Sequence, residues 1–184
     1  MMSSPPPIPF SRSFAMSELR DLKRPILLDA KPSECVALAA AFGILAIRDL
    51  TADFKISRQA SHGWLVTGSV QAKVTQTCVV SLEPFETAIN EPVEARFVEP
   101  SDFRKSASAK DIDVIASGPE VDPPDVIQSG RLDLGVLAAE FLALALDPWP
   151  RKPGVEFKEH DDEPAKPSPF AGLSEKLAST KRKD

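Results

Sequence analysis

The sequence predicts an α+β fold: an antiparallel β-meander packed against two helices, with flexible proline-rich termini. Three observations predict it. Apolar and polar residues alternate through three consecutive runs between residues 50 and 97, and period two with one polar face marks half-buried strands. Before them, Cys35, Leu38, Ala39 and Phe42 recur at i, i+3, i+4 and i+7, one face of a helix. After them, residues 134–146 are apolar nearly all round, as in a helix buried on most sides.

In chain order, Pro25 to Leu28 reads as a short strand. The first helix follows, with Pro32 in its first turn, Ser33 as a candidate cap and Gly43 as its stop. Leu50, Ala52, Phe54 and Ile56 then form the first long strand. Ser61-His62-Gly63 turns the chain into Trp64, Val66, Gly68, Val70, Ala72 and Val74. Glu83-Pro84 leads into Phe85, Thr87, Ile89, Val93, Ala95 and Phe97. Short connections require antiparallel pairing, and Pro92 points to an edge position or a bulge for the third strand. Whether the sheet closes into a barrel stays open at this level. Residues 101–110 read as a polar loop, Ile112, Val114 and Ile115 as a short strand, and residues 120–125 as an acidic, proline-broken connection. Asp133 is placed to cap the last helix, and Asp147-Pro148-Trp149-Pro150 ends it. Proline clusters mark both ends of the chain. The expected organisation is a flexible arm over 1–9, one α+β domain over 10–153, and a flexible tail over 154–184 with a short docking helix at 170–178.

Composition narrows the function classes. At 184 residues the chain is long enough to bury a core without disulfides or metals. It has no run of eighteen apolar residues for a membrane span. The first ten residues lack the charged and apolar parts of a signal peptide. Two cysteines, Cys35 and Cys78, make no disulfide framework, and with His62 and His160 they form no standard metal spacing. A reducing, cytoplasmic setting is expected, with no cofactor and no small-molecule substrate. The formal charge is −5, with eight Lys/Arg against six Asp/Glu in residues 1–60, two against five in 61–100, and twelve against sixteen in 101–184. Phosphate-led nucleic-acid binding needs a basic field. An acidic chain suits a basic protein partner at least as well. No P-loop, G-x-S-x-G or H-E-x-x-H occurs, which argues against an enzyme.

Several residues are candidates for chemistry. Cys78 continues the apolar set of the second strand, in step with Val74, Val80 and Leu82. Core packing is its first reading, and a thiol-dependent enzyme or redox switch the alternative, since no histidine or helix start adjoins it in sequence. Cys35 lies on a helix's apolar face and reads as core. His62 reads as a turn residue and His160 as part of a solvated charge run. Glu140, inside an apolar helix, must reach the rim or pair with Arg131, Lys152 or Arg96; otherwise it serves recognition. Asp111, Asp113, Glu120, Asp122 and Asp125 read equally as a solvated loop or as a dock for a lysine-rich partner. Arg48, Lys55, Arg58, Lys73 and Arg96 lie on or beside the strands and are the candidates for an RNA-binding face. Phe170, Leu173 and Leu177 fall on one face of a short tail helix, suited to a partner's groove or to the domain itself.

Residues 68–85, with Ala72, Val74 and Cys78 in an A-x-V-x-x-x-C run, resemble the central motif of the YceD family, large ribosomal RNA subunit accumulation protein. Residues 132–150, with Glu140 inside an apolar helix that ends at a proline, are similar to its second motif, and residues 169–177 to its closing P-F-x-x-L-x-x-L. The resemblance implies ribosome assembly, with large-subunit ribosomal RNA or a basic large-subunit ribosomal protein as partner; a non-ribosomal protein-binding module is the alternative. It transfers no catalytic residue. Many relatives carry C-x-x-C where this chain has Cys78 and Ser81. Many also carry a cysteine cluster where it has Arg151-Lys152-Pro153-Gly154. This cysteine-poor wording looks like the α-proteobacterial branch and implies that no metal is held.

Overall fold

The structure, a computed structural model, describes residues 8–20, 24–59, 63–100 and 124–157. By its internal contacts the chain divides into a unit Met1–Pro153 and a unit Gly154–Asp184. In the first unit the order is β1 (Ser13–Ala15), α1 (Met16–Leu19), β2 (Ile26–Asp29), α2 (Pro32–Phe42), β3 (Ala46–Arg58), β4 (Gly63–Thr77), β5 (Pro84–Val98), β6 (Asp125–Val126), β7 (Arg131–Asp133) and α3 (Leu134–Ala145). The main sheet runs β2-β3-β4-β5-β6, and β1 pairs with β7 in a separate two-stranded sheet.

The predicted meander is there as an open sheet, with no barrel closure among the described residues. β3 and β4 pair in the register Ala52↔Val70 and Phe54↔Gly68, and β4 and β5 in the register Trp64↔Phe97 and Gly68↔Val93. Period two then turns Leu50, Ala52, Phe54, Trp64, Val66, Val70, Ala72, Val74, Val93 and Phe97 toward one buried face. β3 begins earlier than its alternation suggests. The register shifts between Ile47 and Asp49, so a bulge at Arg48 lets both Ile47 and Leu50 face the core. Gly68 is bare by necessity, because a Cβ there would lie 1.8 Å from the Asp53 carbonyl oxygen.

Among the described residues, β5 is an edge strand over most of its length, and only Phe97 and Val98 have an outer partner, β6, which runs parallel to it. Ile127 N–H donates to the Val98 carbonyl at 2.8 Å, so the even positions of β5 direct their backbone groups outward. Pro92 is one of these and has no N–H to leave unpaired, which makes it a suitable edge residue. The stretch expected to be a loose acidic connection therefore ends in a strand at Asp125.

Two helices cover the buried face. α2 contributes Cys35, Leu38 and Ala39, and ends at Gly43, whose φ of 68° places it in the left-handed region. Ser33 is not its cap. The Glu34 carboxylate instead accepts from Lys31 N–H at 2.8 Å. α3 buries Leu134, Leu137, Ala138, Ala139 and Leu142. It is not buried on most sides, however: Glu140 and Ala143 are exposed, and Leu144 is 81% exposed.

An N-terminal strap, absent from the sequence reading, ties the two helices together. Phe10 is fully buried, and the following residues cross the start of α3 so closely that a Cβ on Gly135 would lie 2.7 Å from Arg12 N. Asp133 caps α3 through Gly135 and Val136 N–H, both at 3.0 Å, and also accepts from Arg12 N–H at 2.8 Å and from the Ser11 hydroxyl. The Arg12 guanidinium forks onto both oxygens of Glu34, each at 2.8 Å.

Candidate functional site

The outer sheet face carries the residues expected to bind a partner. Side chains of β3, β4 and β5 that alternate with the core set face outward, and the register places Lys55 in one row with Thr67 and Glu94, and Lys73 in another with Asp49 and Ala88. Arg96 lies opposite Leu65 on the same face. Arg58 does not join them: its guanidinium lies 6.0 Å from the Trp64 ring centroid, at the end of the core face. The gathered cations are interleaved with carboxylates. Arg48 pairs with Glu86 at 2.7 Å, Arg96 with Glu94 at 3.1 Å, and Lys73 with Asp49 at 3.5 Å. Among the described residues, Lys55 alone of these outward cations has no ion pair.

Glu140 does not take the pairing expected of it. Arg131 donates to the hydroxyl and carbonyl of Ser13, Lys152 pairs with Glu83, and Arg96 with Glu94. Desolvation by the crowded helix surface, then the nearby charge of Asp125, pushes the Glu140 carboxyl above its ordinary range. No cation pairs with either acid among the described residues.

Cys78 occupies a second cluster. β4 ends at Thr77, and residues 78–81 form a turn. Val79 and Leu82 are exposed, and Leu82 has a φ of 58°, so the apolar alternation beyond Cys78 does not continue the strand. The sulfur is 0% exposed yet lies outside the contiguous core. Its cover is its own loop and the chain leaving α3, so the sulfur is buried, as the core-packing reading expects, but beside the main apolar cluster. Ser81 N–H donates to it at 3.4 Å and Lys152 N–H at 3.3 Å. Hydrogen bonding from the Ser81 side chain first, then from the backbone N–H groups of Ser81 and Lys152, outweighs desolvation and holds the thiol down to about 6. The Lys152 ammonium closes the cluster on Glu83 at 2.7 Å, and Val79 N–H donates to the Pro150 carbonyl at 2.9 Å. Sequence reasoning missed Ser81, Glu83 and Lys152 as one cluster. No local signal could have shown it, since Lys152 N–H reaches the Cys78 sulfur across 74 residues of chain.

Among the described residues, no group of three or more His, Cys, Asp or Glu could hold a metal ion, and no helix is long and apolar enough to cross a membrane. His62, His160, the acidic residues Asp111, Asp113, Glu120 and Asp122, the predicted strand at Ile112, and Phe170, Leu173 and Leu177 all lie outside the described residues.

The family model described as large ribosomal RNA subunit accumulation protein YceD matches residues 66–176. That span is more than half of the chain. The chain belongs to the YceD family. No curated protein and no solved structure matches it. The YceD family is described by accumulation of an RNA, not by a reaction, which ties the chain to the large ribosomal subunit. The YceD span takes in almost all of β4, all of β5 and α3, the Cys78 cluster, Lys73, Arg96 and Glu140; Lys55 and Arg58 precede it.

Proposed function

We propose that this protein supports accumulation of large-subunit ribosomal RNA by binding a basic large-subunit ribosomal protein, rather than by gripping RNA phosphates itself. One observation carries the choice: all the outward cations of the sheet face but Lys55 are matched by carboxylates, in the pairs Arg48–Glu86, Lys73–Asp49 and Arg96–Glu94. A face neutralised in this way offers little field to a polyanion, whereas a chain of net charge −5 attracts a basic protein. The unpaired acids Glu140 and Asp125 favour the same partner. Burial of the Cys78 sulfur disfavours the thiol-enzyme alternative.

The test is capture of tagged protein from the cells that make it, with and without RNase. A large-subunit ribosomal protein retained after RNase is the expected result. Ribosomal RNA that is captured, lost on RNase and leaves no ribosomal protein behind would replace this reading with direct RNA contact. In that case binding should also weaken steeply with salt.

A further inference from the structure

The two long helices of the first unit, α2 and α3, end at one place. The last turn of α2, the end of β4 and the exit of α3 enclose a groove of about 410 Å³, walled by Phe42, Leu45, Ala143, Leu146 and Pro148. That is within the range of pockets that bury a ligand. The apolar surface does not stop at its walls. Leu45 is 58% exposed, and Leu144 and Trp149, chain neighbours of wall residues, are 81% and 72% exposed. Large side chains left bare on the walls or next to them in sequence are what an interaction surface presents.

The electrostatics select the occupant. Among the described residues, Asp147 is the only charged one in the lining, which includes no Lys or Arg. Two helix C-termini converge on it, each carrying about half a negative charge. The floor is held in shape: Gln76, nearly buried, donates its side-chain amide to the Asp147 carbonyl at 3.1 Å. The groove is therefore lined by apolar side chains together with the polar Gln76 and Thr77, and is negative at its rim. The geometry points to this groove as the docking site for an apolar, lysine- or arginine-bearing segment of a partner protein, with apolar side chains in the groove and cations on the helix ends and Asp147. This deepens the reading of the protein as a binder of a basic ribosomal protein, and rests on it for the partner's identity.

Trp149 is a built-in reporter, because the other tryptophan, Trp64, is buried in the core. The full chain is titrated with a synthetic peptide of Leu and Lys at helical spacing, and with its twin in which every Lys is Glu. The Lys peptide is expected to shift Trp149 emission to the blue and saturate, and the Glu peptide to bind at least about tenfold more weakly. Ala143→Arg fills the groove from an exposed helix position with a good helix former, so circular dichroism and Tm stay unchanged while Lys-peptide binding falls about tenfold or more. Equal binding of the two peptides, or Lys-peptide binding unaffected by Ala143→Arg, overturns the proposal. So does a dimer in sedimentation that Ala143→Arg abolishes, since the groove is then filled by a second copy. The same variant, used as bait after RNase, separates the two readings. If native and Ala143→Arg baits retain the ribosomal protein equally, the groove proposal fails and the proposed function stands. If the native bait retains none while the Lys peptide binds and Ala143→Arg blocks it, the proposed function fails and the groove stands.

Discussion

The N-terminal strap and the Cys78 loop both fasten distant stretches of chain, but with different chemistry. In the strap, Arg12, Glu34 and Asp133 are partly buried and fully bonded, and their contacts reach 121 or 22 residues along the chain. Burial opposes ionisation of Asp133, yet the Ser11 hydroxyl and the N–H groups of Val136, Arg12 and Gly135 hold its carboxyl below the ordinary range. The Arg12 hydrogen bond does the same for Glu34, lowering it to about 2. In the Cys78 loop, a covered sulfur accepts backbone N–H groups while its accompanying ion pair, Lys152 with Glu83, sits in solvent. The strap's residues precede the family span except at Asp133, whereas the whole Cys78 cluster lies inside it. Charge placed under cover ties the fold together, whereas charge left in water, as in Lys152 with Glu83, contributes little to it.

The comparison predicts a graded series of effects. Asp133→Ala removes a helix cap and the strap's anchor together, and should cost about 2–4 kcal/mol in urea unfolding; a loss no larger than that of a surface substitution would show that the strap is ornamental. Arg12→Met should cost roughly 1.5–3 kcal/mol near neutrality, and its effect should depend on pH in a defined direction. Glu34 has a depressed folded pKa, so the pair's contribution is complete above the unfolded glutamate value of about 4.3. It is lost as pH falls through about 2. The native and Arg12→Met stabilities should therefore converge in acid.

Cys78→Ala should lower Tm by several degrees, because it strands two N–H donors beneath the loop. Cys78→Ser should restore part of the loss, since a hydroxyl accepts where a methyl cannot. The thiol's folded pKa, about 6, lies below the unfolded value of about 8.5. The native advantage over Cys78→Ser should therefore grow as pH rises from about 6 to about 8.5, and fade as it falls through 6. Thiol labelling of native protein should still be slow, because the sulfur is covered. The smallest effect belongs to Lys152→Ala, under about 2 °C in Tm, as expected of an exposed pair; a larger drop would make the Cys78 loop as structural as the strap.

How much could be read in advance follows from how local each signal is. The three long strands, Gly43 as helix stop and Asp133 as cap were legible because period and capping depend on neighbours in sequence. The early start of β3 was hidden because the bulge at Arg48 breaks the alternation. β1 and β7, of three residues each, are too short to show any period. The apolar character of α3 was plain, but not its exposed stripe at Glu140, Ala143 and Leu144, because the sequence does not say which side of a helix its neighbours cover. The same limit applies to the candidate site: period two put Lys55 and Lys73 on one face, but their carboxylate neighbours come from cross-strand register.

The sequence by itself determined the α+β class, the meander, the helix ends and the family, since each rests on short-range pattern or on motif order. It took the tertiary structure to decide that the sheet stays open among the described residues, that Arg12 and Asp133 bind the N-terminal strap to both helices, that the Cys78 sulfur is buried beside the main apolar cluster and bonded by Ser81 and Lys152, and that α2 and α3 end at one groove. Those are meetings between residues tens of positions apart, and their energy comes from packing and desolvation, quantities that exist only once the chain has closed on itself.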